Sequence, residues 1–398
     1  MNGMREHYDI VVVGAGPAAL VFLKFLSSRF NVAVFEKLRE VGVIEHCTGI
    51  VSHRVIDIVG KPALKSILNK FSSLRILTEN NIELRIIPSK PVYVLDRVRY
   101  VKELFDTVKD KYDFYFATKV ESIKVKDNVV KAELSSKANV CSNIIVNAEG
   151  AIQRIRKSIL GKTVIRPPKV YGVQADCKGK VDNIDEFIVF FSDRFAKEFF
   201  GWIVPLNSNK VRIGIGGKNA NLSLLNTFIK FVSSRNIVLV KEKIKVFGGL
   251  IFRTPPFWKD HYQGVLMLGD AGFHVKPITG GGLYVHSMFA KKLAETLSFK
   301  RNELINALNT YEKLTRGLRL KLKIQGAISK TFHELPLKEK ENIFRAIGGL
   351  GELKEVDYDH HEKLLGTMIS KPKLICRLFS KAQFITKNLV YSLKLFFQ

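Results

Sequence analysis

The sequence predicts an α/β protein in which a Rossmann-like nucleotide-binding domain is interrupted by an antiparallel sheet and followed by a helical C-terminal region. Three observations predict it. The stretch Tyr8 to Glu36 reads strand, glycine turn, apolar helix, second strand and closing acid. From about Pro167 to Phe252 the texture changes to alternating aromatic segments, FIVFF, FFGWIVP and KVRIGIGG, with Asn207-Ser208-Asn209 as a hairpin turn. The first texture then returns at Val265 to Leu268, followed by a glycine triplet that opens a helix. The division that follows is 1–160 with 253–300 for the nucleotide domain, 161–252 for the inserted sheet, and 301–398 for the helices.

In the first stretch, Ile10 to Val13 is a short β-branched run that reads as a buried parallel strand. Gly14 allows the tight turn, Gly16 lets backbone approach a pyrophosphate, Ala18-Ala19 end the turn, and the helix Leu20 to Leu26 that follows at once offers free N–H groups to an anion. The third fingerprint position is Ala19, whose methyl leaves the phosphate contacts possible. Val32 to Phe35 is the second strand, and Glu36 at its end can accept hydrogen bonds from an adenosine ribose. Such a cradle suits NAD and FAD alike.

At 398 residues and 46% hydrophobic, the chain can bury a sizeable core. Its net charge of +27 points to an anionic partner surface such as a membrane or a polyanion. Basic residues are not interleaved with aromatics in a nucleic-acid motif, so no nucleic acid is expected. Cys47, Cys141, Cys177 and Cys376 form no CxxC pair, which predicts neither a disulfide framework nor a metal site and fits a reducing cytoplasm. The few residues before the first strand do not read as a leader, and no uncharged apolar run is long enough to span a membrane.

Beyond Glu36, a loop carries His46-Cys47-Thr48-Gly49 beside the cradle. From composition alone Cys47 reads as a small buried apolar group. Residues 61–90 read as a short helix and one alternating strand through Ile82, Leu84 and Ile86, after which Asp96-Arg97 starts another helix where an arginine can meet a phosphate or an acid. Ile144 to Gly150 is a strand that ends in Glu149 and a glycine. Gly214, Gly216 and Gly217 read as strand glycines, because no helix and acid follow them. Gly269-Asp270 closes the strand before the triplet Gly280 to Gly282, whose helix places Val285, Met288, Phe289 and Leu293 on one face. The stretch 371–398 is basic and amphipathic, and reads either as a helix lying on an anionic membrane or as a docked helix with a solvated face.

These segments, in this order, resemble the FAD-dependent flavoproteins of the p-hydroxybenzoate-hydroxylase type. The narrower resemblance is to the geranylgeranyl reductase family, especially its archaeal enzymes that saturate isoprenoid chains of membrane lipids. Cys47-Thr48-Gly49 stands at that family's active-site loop, Phe200-Gly201-Trp202-Ile203-Val204-Pro205 is similar to its Tyr-x-Trp-x-Phe-Pro signature, and Pro277-Ile278-Thr279-Gly280-Gly281-Gly282 is similar to its flavin-side turn. Departures are Glu149 for the usual Asp and Lys276 before Pro277 for the usual Asn or Asp. The resemblance covers about residues 8–300.

That resemblance implies FAD on Gly14, Gly16, Ala18, Ala19, Glu36, Cys47, Thr48, Gly49, Arg97, Val120, Asp270, Pro277, Gly280, Gly281, Gly282 and Leu283. It implies a substrate pocket at Phe200, Trp202 and Pro205, and catalysis by Cys47, His46 and Trp202, with Cys47 the first choice of proton donor and His46 or His274 the second. The activity implied is reduction of C=C bonds in an isoprenoid lipid, with a ferredoxin-like or NAD(P)H donor, by a cytoplasmic monomer in peripheral contact with an anionic membrane. A flavin monooxygenase or halogenase on the same scaffold is the rival. The Trp-x-Trp-x-Ile-Pro pattern of the halogenases is absent, and Lys276 would stand near the negative charge of a reduced flavin.

Overall fold

The computed structural model describes residues 4–126, 129–160, 169–348 and 352–360. Two eight-stranded sheets face a common interior. The first runs, in spatial order, through His261–Tyr262 (β17), Val265–Met267 (β18), Asn139–Asn147 (β11), His7–Val13 (β1), Val32–Phe35 (β2) and Asp113–Tyr115 (β8). All neighbours on this path are parallel except β17 with β18, and Val120–Lys126 (β9) and Val129–Leu134 (β10) extend it as antiparallel strands beyond β11.

Burial on both faces explains the continuous apolar run of β1, since side chains alternate across a strand. Ile10 and Val12 point to one core with the helices Pro17–Phe25 (α1), Arg97–Asp106 (α4), Leu283–Phe299 (α7) and Leu304–Glu334 (α8). Tyr8, Val11 and Val13 point to the other, with Ile123, Val130 and Ala132. Helix α1 begins at Pro17, three residues before the expected Leu20, because proline at the first helical turn needs no partner for an N–H.

The second sheet has the order Leu239–Phe252 (β16), Lys169–Lys180 (β12), Lys210–Gly217 (β15), Gly201–Asn207 (β14), Glu186–Phe191 (β13), Ser73–Thr78 (β5), Glu83–Pro88 (β6) and Leu353–Val356 (β19). It is antiparallel except where β13 meets β5 and β19 meets β6. The sheet is therefore not confined to 161–252. Residues 61–90 also hold three strands where one was expected: Ile67–Phe71 (β4) besides β5 and β6. The β5–β6 hairpin joins β13 because Leu74, Ile76, Leu84 and Ile86 continue the apolar lining of the interior. Strand β14 shows the two faces: Ile203 packs under the helix Leu222–Ser234 (α6), whereas Trp202 and Val204 face the first domain.

Between the sheets lie a small sheet of Ile50–Ser52 (β3), Val92–Leu95 (β7) and β4, and the short helices His53–Val59 (α2) and Lys61–Leu64 (α3). Arg154–Leu160 (α5) follows β11, and Leu337–Gly348 (α9) follows α8. The strand glycines of β15 behave as expected: a Cβ on Gly214 would meet the Trp202 ring at 2.3 Å, and one on Gly216 would meet Phe199 at 2.4 Å. Within the described residues, no helix is long and apolar enough to cross a membrane. The basic stretch 371–398 lies outside the described residues.

Asp260 ties the first domain to helix α8. Its Oδ2 accepts from His274 Nε2 at 2.8 Å, from Arg319 Nη2 and from Tyr311 OH at 3.4 Å. The Gly269 N–H donates to His274 Nδ1 at 3.3 Å, so the ring proton sits on Nε2 and points at Asp260. Burial pushes the Asp260 carboxyl up, but Arg319 and His274 outweigh it and hold it well below the usual carboxylate range. A depressed folded pKa means stability that is present above the unfolded value of about 3.9 and lost as pH falls toward the folded one. Asp260→Asn is expected to lose roughly 3–5 kcal/mol at pH 7, the cost of breaking a buried pair, and to show a flatter acid limb. Denaturant titrations at several pH values measure both, and an unchanged stability would contradict the account.

Candidate active site

One cavity of about 1490 Å3 runs between the two sheets. This exceeds the roughly 300–1,000 Å3 of an ordinary small-molecule pocket. At one end are Gly14, Gly16, Pro17 and Ala18. Gly14 has φ +90°, and a Cβ there would lie 2.7 Å from Ala148 O; a Cβ on Gly16 would meet nothing, so backbone is open to the cavity at that point. Gly16 caps α1 with no side-chain hydrogen bond, leaving the first-turn N–H groups for an anion. Arg97 lines the same end, and its buried Nε and Nη1 have no protein acceptor. Gly282 is likewise an uncapped start for α7, with Gly280, Gly281 and Leu283 on the wall.

Those features fit a dinucleotide with a pyrophosphate. Two open helix starts and an arginine short of acceptors would hold anionic groups, and Thr118, Lys119 and Val120 would border the base. Glu36 does more than was expected of it. Its Oε2 accepts from Ala15 N at 2.8 Å and its Oε1 from Leu38 N at 2.9 Å, so the carboxylate shapes the turn while lining the cavity. Asp270 pairs with His286 Nε2 at 3.2 Å; burial pushes the carboxyl up, but the His286 hydrogen bond together with the charges of His286, His46 and His274 outweighs it and leaves the carboxyl below its ordinary value.

The loop with Cys47 crosses the middle of the cavity and is held from the second sheet. Arg212 on β15 meets Asp176 on β12 through Nε–Oδ1 at 2.6 Å and Nη2–Oδ2 at 3.0 Å. The same guanidinium donates to Thr48 O at 2.7 Å and to Glu45 Oε1 at 2.9 Å. Gln174 Oε1 accepts from Thr48 Oγ1 and from Trp202 Nε1, each at 3.0 Å. One amide oxygen thus fixes both the loop and the indole. Gly49, at φ +90° with no room for a Cβ against Leu95 O at 2.5 Å, turns the loop into β3. Cys47 is half-buried and carries a free thiol. His46 has its accessible surface beside the void, and burial followed by the Arg97 charge holds its pKa below the ordinary value.

Past Trp202 the cavity is apolar, walled by Phe191, Phe200, Phe332, Phe344 and the β5–β6 side chains. Tyr358 and Asp359 close one side. Asp359, 1% exposed, accepts from Lys276 Nζ at 3.0 Å and from Arg54 Nη1 at 3.2 Å, and Lys276 lies 4.4 Å over the Tyr358 ring. Lys276 thus lines the cavity with its charge paired to Asp359.

The structure brings together around one cavity Gly14, Gly16, Ala18, Glu36, His46, Cys47, Thr48, Gly49, Arg97, Val120, Phe200, Trp202, Asp270 and Gly280 to Leu283. Four expected residues lie elsewhere. Ala19 is fully buried where α1 packs in the core, the position at which the fingerprint needs a small side chain. His274 is fully buried behind Gly269, so it does not reach the cavity as a proton donor. Pro277 turns its carbonyl to Ser329 Oγ at 2.7 Å, and Pro205, three residues on from Trp202, falls on the other side of β14. Sequence reasoning missed Gln174, Arg212, Asp176, Asp359 and His286. An available signal was Asp176 opposite Arg212, an acid and a base set in apolar strands.

No protein-family profile matches the chain. It is 28% identical over 319 residues to an uncharacterised protein of Methanocaldococcus jannaschii, covering 78% of this chain and 80% of that one. It is 24% identical over 340 residues to digeranylgeranylglycerophospholipid reductase 2 of Methanococcoides burtonii, covering 79% and 81%. Its fold is similar to the crystal structure of a geranylgeranyl bacteriochlorophyll reductase-like protein from Thermoplasma acidophilum, with a TM-score of 0.81 at 18% identity over 97% of this chain and 99% of that one.

Arg212→Met should leave Asp176 and Glu45 buried without their shared cation and free the Cys47 loop. Because Lys210 and Lys245 stay beside Asp176 and Glu45, the expected loss is smaller than the roughly 3–5 kcal/mol of an uncompensated buried charge, with faster alkylation of Cys47 while Cys141, half-buried on β11, keeps its rate. Peptide mapping after timed alkylation reads this directly. Equal rates at Cys47 in both proteins would show that Arg212 does not hold the loop.

Proposed function

We propose that the chain, similar at 24% identity to a digeranylgeranylglycerophospholipid reductase, belongs to the geranylgeranyl reductase family and is an FAD-dependent reductase that saturates C=C bonds in isoprenoid chains of the geranylgeranyl type. The observation that carries this reading is the single cavity, with an anion cradle at one end and an apolar length at the other, meeting at Cys47 and Trp202. FAD bound at the cradle supplies a hydride donor once reduced. The chain's own residues supply the rest. Gly14, Gly16, Arg97 and the start of α1 would hold the pyrophosphate, and Gly280 to Gly282 at the start of α7 would hold the ring system.

An unactivated alkene offers the protein little to bind except shape, so it must be positioned by packing. Trp202, fixed through Gln174, and Phe200, half-buried beside it, form the wall against which the reacting carbons rest. Phe191, Phe332 and Phe344 hold the rest of the chain and exclude water. Cys47 Sγ gives the proton that completes the addition, and neutral His46 next to it in the chain returns a proton to the sulfur from solvent.

Reduction of the purified protein without oxygen, followed by addition of a geranylgeranyl glycerol lipid, tests this. Reoxidation of the flavin with a gain of two hydrogens per double bond is expected. Cys47→Ala should keep the flavin spectrum and turn over about 10²- to 10⁴-fold more slowly, the usual worth of a positioned acid. A flavin that stays reduced until oxygen enters would replace the reductase with an oxygen-activating enzyme.

A further inference from the structure

Helix α8 has one face that changes role along its length. Tyr311, Thr315, Arg319, Leu322, Gly326 and Ser329 are buried. Opposite them, at helical spacing, stand Lys313, Arg316, Gly317, Leu320, Lys321 and Ile324, all exposed, with Leu320 at 37% and Ile324 at 36%. The next residues on this same face are Ala327, Ile328 and Thr331, and these line the cavity. The apolar end of the cavity therefore reaches the outer face of α8. From Lys313 to His333 the helix contains no acid.

We propose that this face docks on an anionic lipid bilayer and is the port by which an isoprenoid chain passes from the bilayer into the cavity. Leu320 and Ile324 rest against the lipid, and Lys313, Arg316 and Lys321 meet the headgroups. The ridge Leu320, Ile324 and Ile328, each four residues from the last, then gives an acyl-like chain a continuous apolar track inward. Charge selects this occupant over others. A second copy of the chain carries +27, and residues 361–398 hold seven lysines and arginines against the single acid Glu362, so both repel a basic face. The substrate-entry part rests on the reductase reading; the docking part does not.

The test uses full-length protein with phosphatidylcholine vesicles, with and without phosphatidylglycerol. Cosedimentation should be tighter on the anionic vesicles. Arg316→Gln with Lys321→Gln should weaken it about 25-fold, some fivefold for each cation removed near an anionic surface, and Leu320→Ser with Ile324→Ser about tenfold or more. Arg316 and Lys321 are exposed, outside the cavity wall and off the apolar track, so the Gln pair should turn over a geranylgeranyl lipid dissolved in detergent at the wild-type rate, whereas its turnover of the same lipid embedded in anionic vesicles should fall with binding. Wild-type binding in both variants would overturn the proposal. So would loss of binding on deletion of 361–398 while both face variants bind normally. Absence of detergent-phase turnover in the wild type would instead remove the reductase reading, and the cosedimentation would still decide the docking face.

Discussion

A cavity of about 1490 Å3 lies between the two sheets, and buried ion pairs fix the segments that form its walls. Each pair joins segments far apart in the chain. Arg212 spans 167 positions to Glu45, Lys276 spans 83 to Asp359, and Arg319 spans 59 to Asp260. The first fixes the loop with Cys47, the second the closing segment at Tyr358, and the third the turn that carries Asp270. Buried pairs of this kind add little net stability against an apolar alternative, but losing one partner is costly. Their use here is geometric: they set the positions of wall segments that are far apart in the chain.

Polarity along the cavity follows from the same architecture. Two helices, α1 and α7, start at the cavity wall with uncapped ends, and both pack on the first sheet. Negative charge is favoured there. The second sheet turns Trp202, Val204 and Phe187 inward and keeps its charges at the edge or in pairs. One end of the cavity therefore favours phosphate and the other an aliphatic chain, with the thiol and the indole where the two meet.

Much of this was legible in the sequence because backbone demands leave strong marks. Gly14 and Gly16 are required where a strand turns into a helix that must approach an anion, and the helix and second strand on either side confirm the context. The aromatic strands were visible because period-two alternation differs from helix spacing. The extent of the second sheet was not, since β5 and β6 join it through a parallel pairing with β13 that no local pattern announces. Ala19, Pro205 and Pro277 were assigned from motif neighbours, and a motif does not tell which side of a helix, strand or turn faces a ligand. The pairing of Lys276 with Asp359 has no mark in the sequence, because the two lie 83 residues apart.

The central claim is that the cradle and the apolar length are one continuous cavity. The affinity of the FAD-loaded protein for a series of prenyl glycerol ethers of one to four isoprene units measures this most directly. Affinity should rise with each added unit, because each buries more apolar surface at about 25 cal/mol per Å2, and Phe344→Asp should abolish the gain for the longest chains only. An affinity that does not change with chain length would mean that the apolar end does not receive the substrate.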